Sequence, residues 1–143
     1  MLTSEDALVN QSQTNYDSIG NELSFTDPLS HTTSYGYDSL NRLDQVTDPL
    51  YQNSYYQYDP DSNLIYTRDP RSASSSDNTY ATYYGPNSLN QLSTLTDPLS
   101  QSAIYTYDAS VNPTGVSLSN GQSESFAYDN ANRLSEMSLS GGT

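Results

Sequence analysis

Thirteen aspartates, fourteen tyrosines and one histidine are the residues of this 143-residue chain whose types could do chemistry. Carboxylates hold calcium where six to eight oxygens converge. A pair of them at fixed separation hydrolyses glycosides, and a histidine between serine and aspartate activates a nucleophile. The spacing argues against each of these. The aspartates stand mostly ten or eleven residues apart, with Asp59-x-Asp61 the one tight pair, and neither an EF-hand loop nor a glycine-rich calcium repeat is present. His31 lies beside Thr32 and Thr33 on an expected strand, without a nucleophile-elbow motif, and reads as a surface histidine. An active site is ordinarily singular, whereas these carboxylates recur along the chain. The expectation is a non-enzyme with no catalytic residue, no cofactor and no metal site, with calcium on the turn carboxylates as the alternative.

The recurrence has a fixed period, and periods of this length identify repeat architectures. Tyr-Asp pairs stand at Tyr16-Asp17, Tyr37-Asp38, Tyr58-Asp59, Tyr107-Asp108 and Tyr128-Asp129. Successive pairs are 21 residues apart except across 58–107, where a degenerate unit at Tyr84-Gly85 divides the gap. A second marker, Thr-Asp-Pro-Leu, recurs in phase around Asp27-Pro28, Asp48-Pro49 and Asp97-Pro98, with Arg68-Asp69-Pro70 as a variant. Asp6-Ala7-Leu8 stands one period before Asp27-Pro28-Leu29. The chain therefore reads as a single array over 1–143, about six and a half repeats, beginning and ending in mid-repeat. The Ser-rich run at 71–78 reads as an exposed insertion.

These markers are the elements that position everything else. Asp opens a type I turn by bonding its own backbone two residues on, and Pro presets the second position. A hairpin loop of this kind closes with a residue in the left-handed region, where Gly or Asn is favoured. Gly20, Asn41, Asn90 and Asn132 occupy that place; Ser62 and Val111 break the rule. A β-branched Val is strained there, so unit five is expected to turn instead at Asn112-Pro113-Thr114-Gly115. Two turns per repeat leave two strands of ordinary length. Tyr35 and Tyr37, Tyr56 and Tyr58, Tyr105 and Tyr107, and Phe126 and Tyr128 stand two apart, which puts both rings on one strand face. The following strands read Leu23-x-Phe25 and Leu64-x-Tyr66, but Leu43-x-x-Val46, Leu92-x-x-Leu95 and Leu134-x-x-Met137. A bulge just after the left-handed residue reconciles the two spacings. The fold class is all-β: antiparallel hairpin repeats of about 21 residues in a spiralling or solenoid-like array.

Composition sets the outer limits. Leu, Ile, Val and Phe fill 24 of the 143 positions and the net charge is −13, a combination that by itself marks disorder. The repeat overrides it, because tyrosines and neighbouring repeats complete a thin core with few aliphatics. Only four arginines and no lysine face a pI of about 4.1, which excludes a phosphate-binding surface and hence nucleic acid. No apolar run reaches the length of a membrane-spanning helix, and an acidic start shows no signal peptide. Without cysteine, thiol chemistry is absent. The lysine-free, hydroxyl-rich surface fits an extracellular or cell-surface protein.

The stretches Tyr37-Asp38-Ser39-Leu40-Asn41-Arg42-Leu43 and Tyr128-Asp129-Asn130-Ala131-Asn132-Arg133-Leu134, with the looser units at Tyr16 and Tyr58, resemble the YD repeats of Rhs proteins and teneurins. The resemblance runs over essentially the whole chain. It implies a long antiparallel sheet spiralling into a hollow shell, which in Rhs and toxin-complex proteins encloses a toxic carboxy-terminal domain and in teneurins serves adhesion. The chain departs from the pattern where Ser30, Tyr51, Ser72 and Ser100 replace the glycine after Asp-Pro-x. Three functions follow as expectations. The first is a structural protein that self-associates into an extracellular filament or shell by repeat stacking. The second is a piece of a toxin-enclosing shell, and the third an adhesive module whose tyrosines bind glycans.

Overall fold

The computed structural model describes residues 1–5, 11–72 and 77–141. Asp6-Ala7-Leu8 and the centre of the Ser-rich insertion, Ala73–Ser76, lie outside the described residues. Thirteen strands and no helix are described: β1 (Leu2–Glu5), β2 (Gln11–Tyr16), β3 (Glu22–Thr26), β4 (Thr32–Tyr37), β5 (Leu43–Thr47), β6 (Asn53–Tyr58), β7 (Leu64–Arg68), β8 (Ala81–Pro86), β9 (Leu92–Thr96), β10 (Ser102–Tyr107), β11 (Pro113–Leu118), β12 (Ser123–Tyr128) and β13 (Leu134–Ser140). They fall into two compact units, residues 1–57 with 67–77, and residues 58–66 with 78–143. In the first unit β1 to β6 pair antiparallel in chain order. In the second β8 to β13 do the same. The all-β repeat array is what the 21-residue period dictates.

A bulge appears in the hairpins β2–β3, β4–β5, β8–β9, β10–β11 and β12–β13, and it sits three residues past the left-handed position rather than directly after it. Tyr37 faces Leu43 and Gly36 faces Gln45, which leaves Asp44 without an opposite number. The same slip isolates Leu23, Ser93, Thr114 and Ser135. Side chains alternate along a strand, so one extra residue changes an apolar spacing of two into three. Val46 and Leu43 thereby sit opposite Tyr35 and Tyr37 on one face. Met137 and Leu134 face Phe126 and Tyr128 in the same way. In unit one the pair on that face is Glu22 and Phe25; Leu23 is the bulged residue. In unit five Pro113 and Val116 take the two places, and a bulge is where a strand tolerates proline.

The expected alternative turn of unit five is not formed. Val111 adopts φ 72° and closes the same turn as its counterparts, with Asp108 N donating to Asn112 O at 3.0 Å. Its strain is outweighed by the hydrogen bonds that the turn keeps. The core is thin throughout. Among the described residues only Tyr66, Ala81, Ala103 and Arg68 are buried. Tyr66 meets the Tyr83 ring edge-on at 5.3 Å and donates its hydroxyl to Asn78 Oδ1 at 2.9 Å. The Arg68 guanidinium lies 4.0 Å over the Tyr55 ring.

Candidate functional site

Both sequence markers build one device. In the Tyr-Asp turn, Asp38 Oδ1 accepts from Leu40 N and Arg42 N at 2.8 and 3.0 Å. In the Asp-Pro turn, Asp27 Oδ1 accepts from Leu29 N and His31 N at 2.8 and 2.9 Å. Asp17, Asp48, Asp97, Asp108 and Asp129 repeat the pattern. Asp59 accepts from Asn63 N, and Asn87 substitutes where the Asp is missing. The fourth turn residue is left-handed each time, including Gly20, Asn41, Asn90 and Asn132, but also Ser30, Tyr51, Ser62 and Ser100. The glycine of the YD pattern belongs at such a position because a β-carbon is penalised there.

The second carboxylate oxygen usually captures the side chain four residues on. Asp38 Oδ2 accepts from Arg42 Nε at 2.7 Å, Asp129 Oδ2 from Arg133 Nε at 2.8 Å, and Asp17, Asp59 and Asp108 from an asparagine amide. Backbone donation from Arg42 holds the Asp38 carboxyl below its ordinary pKa. The same donation from His31 lowers Asp27, and side-chain donation from Asn112 and Arg133 lowers Asp108 and Asp129. His31 is not on a strand: it ends the turn just before β4, where its Nδ1 sits 2.9 Å from Asp27 Oδ2.

The tyrosine of the Tyr-Asp pair stitches one hairpin to the next. The β3–β4 ladder spans Thr26↔Thr32 to Ser24↔Ser34, and beyond it Tyr37 donates its hydroxyl to Glu22 O at 2.9 Å. Tyr107 does the same to Leu92 O at 2.8 Å. Desolvation, with Glu22 nearby, raises the pKa of Tyr35 and Tyr37. A second stitch runs between turns, and sequence spacing alone did not expose it. Asn21, Asn63 and Asn112 each direct Nδ2 at the left-handed Asn of the following Tyr-Asp turn, Asn41, Asn90 and Asn132, at 3.5, 2.9 and 3.2 Å.

Tyr55 and Tyr56 face opposite sides of β6, since Tyr55 opposes Gln45 while Val46 opposes Ser54. Among the described residues no group of three or more acids and histidines converges as a metal centre. One concavity lies between the Asp-Pro turns at 27–31 and 48–52. It measures about 380 Å³ and is lined by Ser30, His31, Ser34, Thr47, Asp48 and Tyr51 among others. Tyr51 was singled out in the sequence only as a glycine replacement.

The RHS Repeat family matches residues 16–52. Among curated proteins none matches the sequence. Similar solved structures include the TcdB2–TccC3–Cdc42 crystal structure, 21% identical with a TM-score of 0.69 over 85% of this chain and 8% of that one. TcdB2–TccC3 without its hypervariable C-terminal region is also 21% identical, TM-score 0.69, over 89% and 8%. The Photorhabdus luminescens Tc holotoxin pore is 20% identical, TM-score 0.69, over 96% and 9%. The chain thus has the fold of a stretch about a tenth as long as these proteins.

Proposed function

We propose that this chain, an RHS-repeat protein, works as a section of shell wall of the kind that encloses a toxic domain, rather than as the subunit of a filament. The observation that carries this reading is the fold likeness over most of the chain to about a tenth of TccC3-type toxin components. That proportion suits one stretch of a longer spiral. The hairpins support it physically: their Tyr-Asp and Asp-Pro turns are closed by an aspartate or by Asn87, and neighbouring hairpins are tied by the hydroxyls of Tyr37 and Tyr107 and the amides of Asn21, Asn63 and Asn112, so the sheet extends by adding repeats. A repeat array buries its core between neighbours, and the near absence of buried apolar residues here fits a wall completed by further repeats. On this reading the protein is non-enzymatic, acts outside the cell, and its partners are other repeats and the shell's cargo. Negative-stain microscopy of the chain over a concentration series tests it. Non-fibrous particles are expected; periodic fibres would reinstate the filament.

A further inference from the structure

We infer that the β11–β12 turn carries a self-modifying site: the Gly121 backbone nitrogen attacks the Asn120 side-chain amide, which is lost as ammonia. Asn120-Gly121 is the one Asn-Gly dipeptide of the chain. Glycine leaves its own nitrogen unshielded, because it has no β-carbon. Both residues are exposed, and Gly121 turns the chain at φ 87°.

This turn has lost its aspartate, and the loss poses the amide. In the sister turn Asp97 Oδ1 accepts from Leu99 N and Gln101 N; Leu118 stands in the place of Asp97 here, so the equivalent Gln122 N–H is released. It donates instead to Asn120 Oδ1 at 3.0 Å, the bond by which an asparagine folds back onto the backbone two residues on. The side chain is thereby drawn back across Gly121, the residue between. The same N–H lies on the oxygen where negative charge develops during attack, and a donor held there stabilises that charge. The two Asn-Ser pairs are posed differently. Asn87 Oδ1 serves Leu89 N and Gln91 N of its own turn, and Asn53 Oδ1, on β6, accepts from the side chains of Gln45 and Thr47.

In the reaction Gly121 N gives its proton to hydroxide, leaves its 3.0 Å bond to Leu118 O and bonds to Asn120 Cγ. The Cγ–Nδ2 bond breaks, and Nδ2 departs as ammonia with a proton from water. Water then opens the cyclic imide at Cγ, giving aspartate, or at the Asn120 main-chain carbonyl, giving isoaspartate. Isoaspartate lengthens the main chain where there is no slack. Gly121 O lies so close to Gly141 that a β-carbon on Gly141 would overlap it, and β12 meets β13 at Ser123↔Ser140 just beyond. The site stands or falls independently of the shell-wall reading.

The test is peptide mass mapping of the full chain, held folded in heavy-oxygen water at neutral and at mildly alkaline pH, with isoaspartyl methyltransferase reporting the rearranged product. Asn120 should take up label at least tenfold faster than Asn53 and Asn87, faster at the higher pH, and with isoaspartate as the larger product. Gly121→Ala should slow labelling tenfold or more; a β-carbon has room there but is strained at that φ. Leu118→Asp, which restores the acceptor for Gln122 N, should slow it severalfold with the turn kept. Amide exchange at Ser123 and Ser140 should quicken in the isoaspartyl fraction and hold in Asn120→Asp. Labelling of Asn120 no faster than Asn53 and Asn87, labelling only after unfolding in urea, or undiminished labelling in both variants would overturn the assignment.

Discussion

Val111 is the residue at which the hairpin device is most at odds with its sequence, and replacing it separates two energetic contributions. A β-branched side chain at φ 72° carries a left-handed penalty of roughly 1–2 kcal/mol. The side chain is mostly exposed, so little burial is lost on removing it. Val111→Gly relieves the strain but adds chain entropy to the unfolded state, for a net gain of about 0.5–1 kcal/mol. Val111→Asn should do better. In three Tyr-Asp turn pairs the side chain four residues after the turn acid donates to the left-handed Asn of the next turn. Gln91 holds that donor place ahead of Val111, and its Nε2 is buried without a partner among the described residues, because valine offers no acceptor. An asparagine at 111 supplies one, and leaving a buried donor unmet costs roughly 1–3 kcal/mol. The expected gain for Val111→Asn is about 2 kcal/mol, or roughly 4–8 °C in melting temperature for a chain of this size. Differential scanning calorimetry reads both variants, and repeating them in a Gln91→Leu background isolates the hydrogen bond. If Val111→Asn were no more stable than Val111→Gly, or if its advantage survived Gln91→Leu, the reasoning would fail.

Three further outcomes follow from the same geometry. Tyr37→Phe and Tyr107→Phe each remove a hydroxyl donated to a backbone carbonyl, and each should lower stability by about 1 kcal/mol in urea unfolding with the slope unchanged. Asp27, Asp38, Asp108 and Asp129 ionise below the ordinary carboxylate range in the folded chain. The unfolded chain then binds more protons in acid, so melting temperature should be level above the ordinary Asp pKa of about 4 and fall as pH drops below it; a rise in acid would contradict the turn account. EDTA should leave the melting temperature unchanged, since the turn carboxylates are occupied by backbone N–H groups rather than shared at one point.

Much of this fold was legible because the residues that punctuate it are chemically specific. Asp, Pro, Asn and Gly mark turns for reasons internal to each turn, and paired aromatics mark strand faces. What stayed hidden depends on comparing neighbours in space. The Tyr-Asp and Asp-Pro turns differ in sequence yet share their backbone hydrogen bonds, because proline fills a position whose N–H the turn does not need. Unit five turns like the others although Val111 is penalised there, because Asp108 gathers two N–H groups and an asparagine amide that the sequence pattern around Val111 does not display. The bulge was expected near the turn, but its place three residues on is fixed by cross-strand register. The groove at Tyr51 has no periodic signature. Its one signal was a tyrosine where the repeat calls for glycine.

The wall account is tested most directly by grafting. Residues 11–140 of this chain would replace the structurally matching stretch of the TcdB2–TccC3 protein, and the product would be imaged by electron microscopy alongside protease digestion. The account predicts a closed hollow shell whose carboxy-terminal domain is digested no faster than in the ungrafted protein. An open or collapsed particle with that domain degraded, while the grafted segment keeps its β-sheet signature, would contradict it.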